Sequence, residues 1–71
     1  MSLKARIEAV LFITAQALEV KDIAEILKEE EDVIEESLLE LIMDYSAREG
    51  ALEIDDENGY ILQVCLLYTS P

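Results

Sequence analysis

The apolar pattern of this chain changes period once, at Gly50, and that change constrains the fold more than any other feature. Before it, apolar residues recur about every 3.6 positions; after it they alternate, which marks helices followed by strands. Leu3, Ile7, Val10, Leu11 and Thr14 share one helical face, with Ser2 placed as the N-cap. This first helix should end near Ala15-Gln16-Ala17. Leu18 and Val20 then lead into a second helix over Val20–Lys28, with Ile23, Ala24 and Leu27 turned inward. The run Glu29-Glu30-Glu31-Asp32 suits a turn or a first helical turn, where carboxylates meet the positive end of a helix dipole. The third and longest helix has Ile34, Leu38, Leu41 and Tyr45 as its core face. Gly50 stands as its stop, because glycine accepts the left-handed conformation common past a helix end.

Beyond Gly50, Leu52 and Ile54 alternate with Glu53 and Asp55, and Tyr60, Leu62 and Val64 alternate with Ile61, Gln63 and Cys65. Between them Asp56-Glu57-Asn58-Gly59 holds an Asn-Gly pair, a hairpin signal because both residues tolerate positive φ. The chain therefore reads as mainly α with a β-hairpin, a winged helix-turn-helix of three helices plus a two-stranded wing. Residues 1–64 form that domain; residues 65–71 fit neither period and read as an atypical tail that continues the last strand or frays.

A chain of 71 residues holds one domain, and a core of that size supplies only about 3–5 kcal/mol of net stability. Cys65 is the only cysteine and there is no histidine, so neither an internal disulfide nor the usual zinc ligands are at hand. The same absence removes Ser-His and Cys-His nucleophile pairs and any imidazole acid or base. The acidic run has neither the alternating ligands nor the central glycine of a calcium loop. No enzyme, no metal and no cofactor is expected. Hydrophobic content of 52% marks a chain that folds. The N-terminus lacks a basic region followed by a long apolar run, and no apolar stretch approaches the ~18–20 residues that span a bilayer, so a cytoplasmic location without membrane contact is expected.

The net charge is −12, and Glu29 to Glu49 carries nine acids against Arg48 alone. No Lys or Arg occurs from Gly50 to Pro71, while Glu53, Asp55, Asp56 and Glu57 crowd the first strand and the turn. A winged helix that reads DNA puts basic or amide side chains on its third helix and wing. Here both are acidic, so a transcription regulator is the weaker reading and no direct nucleic-acid binding is expected. Protein association is favoured by apolar residues that fall off the core stripes: Phe12 projects opposite Leu3, and Met43 opposite Ile34 with Leu39 beside it. Phe12, Leu39 and Met43 are the candidate interface residues, with Phe12 open to a second reading as core if the first helix is sandwiched in the fold.

Leu3-Lys4-Ala5-Arg6-Ile7-Glu8-Ala9-Val10-Leu11-Phe12, followed by Leu18 to Leu27, resembles the start of bacterial segregation and condensation protein B, ScpB. Ile34 to Leu38, Leu41 to Tyr45, Leu52-Glu53-Ile54 and Gly59-Tyr60-Ile61-Leu62-Gln63 look like that family's third helix and wing. The resemblance covers about residues 3–64. It implies a non-catalytic subunit of the bacterial SMC condensin complex that forms a homodimer, binds the kleisin ScpA and through it SMC, and acts in chromosome condensation and segregation at the nucleoid. The family is similar to two tandem winged helices, the first associated with self-association and the second with kleisin binding. The sequence stops at Pro71, so only the first of the two is expected in it, and dimerisation is the activity that should survive.

Overall fold

The computed structural model describes residues 1–48 and 50–64. Three helices precede two strands: α1 (Leu3–Thr14), α2 (Val20–Leu27), α3 (Glu31–Ala47), β1 (Leu52–Asp55) and β2 (Ile61–Val64). The architecture is the winged helix that the change of period predicts.

Each helix has a local reason to start. Ser2 Oγ accepts the Ala5 N–H at 3.2 Å and caps α1. At α2 the Glu19 N–H donates to Asp22 Oδ2 at 3.1 Å, so an acid in the first turn satisfies an otherwise orphaned donor. Glu30 is the N-cap residue of α3, and Glu31 and Asp32 in its first turn complement the dipole.

The first two helices end where their spacing places them, and the third does not. α1 and α2 stop at Ala15 (φ 51°) and Lys28 (φ 57°), both left-handed without being glycine. α3 stops at Ala47, ahead of Gly50, and the chain leaves it through Arg48 in an extended conformation. The stop assigned to Gly50 is thus made earlier, by a change of ψ at Arg48 and not by a left-handed residue directly past the last turn.

The strands pair antiparallel in the register Leu52↔Val64, Glu53↔Gln63, Ile54↔Leu62 and Asp55↔Ile61. The connecting loop runs over residues 56–60. Gly59 has φ 91°, but Asn58 is not in the positive-φ region, so the Asn-Gly pair does not form a tight two-residue turn. Instead the Glu57 N–H donates to Asp55 Oδ1 at 3.1 Å, which curls the loop at its start. Leu18, between α1 and α2, adds a third rung beside the hairpin. Its N–H donates to the Tyr60 carbonyl at 2.9 Å, and the Tyr60 N–H donates to the Leu18 carbonyl at 2.7 Å.

The core comprises Ile7, Leu11, Leu18, Ile23, Ala24, Ile34, Leu38, Leu41 and Ile54, so every described element except β2 places a buried residue in it. Truncating a fully buried Leu or Ile to Ala costs about 2–5 kcal/mol, comparable with the whole stability of so small a domain. Leu38 is such a residue, central to α3 and fully buried. Among the described residues no helix is long and apolar enough to cross a membrane.

Candidate protein-association surfaces

α1 is apolar on two faces. Ile7 and Leu11 turn into the core, while Phe12 and Ile13 stand 69% and 80% exposed. Phe12 is therefore not a core residue; α1 is covered on one side only. Its outer side borders a groove of about 470 Å³ lined by Met1, Ala5, Glu8, Ala9, Phe12, Ile13, Tyr45, Leu52 and Leu62. Glu8 is the one charged side chain in that lining, and it accepts a hydrogen bond from the Tyr45 hydroxyl. Burial and this hydrogen bond raise the Tyr45 phenol above its usual pKa, burial being the larger cause. The Arg48 guanidinium covers the Tyr45 ring at 4.5 Å from its centre. Beside the groove, Lys4 Nζ meets Asp44 Oδ2 at 2.6 Å and ties α1 to α3.

Leu39 and Met43 lie elsewhere. They sit one turn apart on the outward side of α3, 54% and 69% exposed, and neither lines the groove. Around them the exposed side chains of Asp32, Glu35, Glu36 and Glu40 occupy the same outward arc. The three candidate residues thus belong to two surfaces, one nearly uncharged and one strongly acidic. Ile13, Leu52 and Leu62 join Phe12 in the first, although the sequence reading assigned the last two only to the wing. Their membership depends on how the hairpin folds back against α1, which no local pattern encodes.

The cations are largely engaged. Lys4 pairs with Asp44, Arg6 Nη1 lies 3.6 Å from Glu29, Lys21 lies 3.7 Å from Glu19, and Arg48 stacks on Tyr45. Tyr60, at the wing, is raised above the usual tyrosine pKa first by burial and then by the charges of Asp56 and Glu35. Carboxylates from the wing and from α3 thus converge on one region. Where a DNA-reading winged helix presents cations to phosphate, this one presents carboxylates.

Fold and surface together define an acidic winged helix with apolar ground left open on α1 and α3. The family model of the segregation and condensation complex subunit ScpB matches residues 5–70, and the chain belongs to that family. The match takes in α1 from its third residue, the other two helices and both strands, and it runs past Val64 into the segment read as an atypical tail, which lies outside the described residues. No curated protein and no solved structure gives a match.

Proposed function

We propose that this chain is the self-associating winged helix of a non-catalytic ScpB subunit, which joins the kleisin ScpA, and through it SMC, in the cytoplasm at the nucleoid. Family membership over residues 5–70 carries the reading. The groove beside Phe12 supports the self-association part. It is apolar, almost free of charge and bounded by side chains that a partner would desolvate cheaply, so two copies with a net charge of −12 each can meet there without opposing their acidic faces. Residues 1–64 supply this contact, and binding to ScpA draws on a second winged helix of the kind that the family carries.

A pull-down against purified ScpA tests this, using the 71-residue chain and a version extended by a second winged helix, with light scattering on each input. Self-association of both, with ScpA held by the longer one, is the expected result. Strictly monomeric behaviour of both at high concentration, with no ScpA retained, would overturn the reading.

A further inference from the structure

The outward face of α3 is a second surface with a chemistry of its own. Leu39, Met43 and Ala47 follow one another at i, i+4 and i+8, all exposed, and form an apolar stripe along the C-terminal half of the helix. Asp32, Glu35, Glu36 and Glu40 frame the N-terminal half of the same arc, and all are exposed. The charge of Glu35 also reaches Tyr60, where that of Asp56 arrives from the wing, so the acidic frame extends beyond α3.

We infer that this face docks a basic amphipathic helical segment of another protein, with apolar residues laid on Leu39 and Met43 and Lys or Arg side chains set against Glu35, Glu36 and Glu40. A second copy of this chain is a poor occupant. A two-fold contact through α3 brings together two helices that carry acids and no Lys or Arg, so it supplies no counter-charge and sets like charge near like. Nucleic acid is excluded by the same charge. A cationic amphipathic helix satisfies both halves of the face together, since helix-on-helix docking reads anchors at i and i+4 and their charged flanks steer the encounter. Met43 suits such a contact, because a thioether side chain adapts to the shape laid on it. This face is separate from the groove beside Phe12, and the inference holds whether or not the groove mediates self-association.

The test is fluorescence anisotropy of the full chain with a labelled Leu/Lys peptide whose leucines fall on one helical face. A peptide of identical composition in scrambled order is the control. The ordered peptide should bind at least about tenfold more tightly than the scrambled one. Combined Leu39→Ser and Met43→Ser substitution should weaken it about tenfold, as loss of a central apolar anchor does. Combined Glu35→Gln, Glu36→Gln and Glu40→Gln substitution should flatten the salt dependence of binding, and it gives an independent readout if the serine variant fails to fold. Equal binding of the scrambled peptide, an unchanged affinity in the folded serine variant, or a salt dependence untouched by the glutamine variant would overturn the inference.

Discussion

Replacing Gly59 with alanine tests how the wing is fixed to the helical body. Gly59 sits at φ 91°, a conformation that costs an L-residue about 1–2 kcal/mol. A Cβ there would lie 3.1 Å from the Leu18 carbonyl oxygen and 3.3 Å from Ala17 Cβ. Neither neighbour yields freely, because the Leu18 carbonyl accepts the Tyr60 N–H and is part of the rung that docks the hairpin. If the backbone shifts to make room, it strains two hydrogen bonds worth about 1 kcal/mol each. Alanine returns about 0.5 kcal/mol by restricting the unfolded chain. The net expectation is a loss of about 2–3 kcal/mol, about half or more of the ~3–5 kcal/mol that a core this small supplies. In a domain of this length that lowers Tm by about 10–20 °C. Urea denaturation followed by circular dichroism reads the change, with Gly50→Ala as control, since a Cβ at Gly50 meets no atom within 4 Å among the described residues. A loss under about 0.5 kcal/mol for Gly59→Ala would show that pairing with Leu18 does not impose the positive φ, and the reasoning about the wing would fail.

The left-handed caps give the opposite sign. Ala15→Gly and Lys28→Gly each remove a Cβ from a left-handed residue, at φ 51° and 57°, and should stabilise by about 0.5–1 kcal/mol after the entropy of the freer unfolded chain is subtracted; a lower midpoint in denaturant for either would contradict the cap geometry. Alkaline pH should destabilise the domain. Tyr45 and Tyr60 are raised from the ordinary 10.0, so the fold favours the protonated phenol, and stability fully present below pH 10.0 is lost as pH climbs through the folded-state values. Lys4, raised from 10.5 by its hydrogen bond to Asp44, adds a loss of the same sign. Tyr45→Phe should make the decline above pH 10.0 shallower, as read by thermal melts across that range, and an identical decline in the variant would refute the assignment.

Much of the fold was legible because helical and strand periods differ and each run is long enough to show its own. Ile7, Leu11, Ile23, Ile34, Leu38 and Ile54 read as inward from spacing alone and are buried. Leu18 did not, since one residue has no period, and its role as the third rung appears only once Tyr60 is folded against it. Gly50 and Asn58 misled for a related reason. Both have a strong intrinsic tolerance for positive φ, yet the α3 terminus turns at Arg48 and the loop was closed by Asp55 and Gly59. Exposure of Phe12, Leu39 and Met43 follows from their angle off the core stripe. That Phe12 faces one surface and the other two face another depends on tertiary packing, as does the joining of Phe12 to Leu52 and Leu62 across the groove.

The proposed self-association through the α1 groove depends most on Phe12, the most exposed aromatic residue of its lining. Covering the 69% of Phe12 left open removes about 140 Å² from water, taking about 200 Å² for the whole ring. At about 25 cal/mol per Å² the upper limit is about 3.5 kcal/mol per copy. Sedimentation equilibrium of the full chain and of Phe12→Ser over a wide concentration range tests this directly. A monomer–dimer equilibrium weakened at least about tenfold in the variant, with the monomer's melting temperature unchanged, is predicted. A monomer at every concentration, or a dimer indifferent to Phe12→Ser, would contradict it.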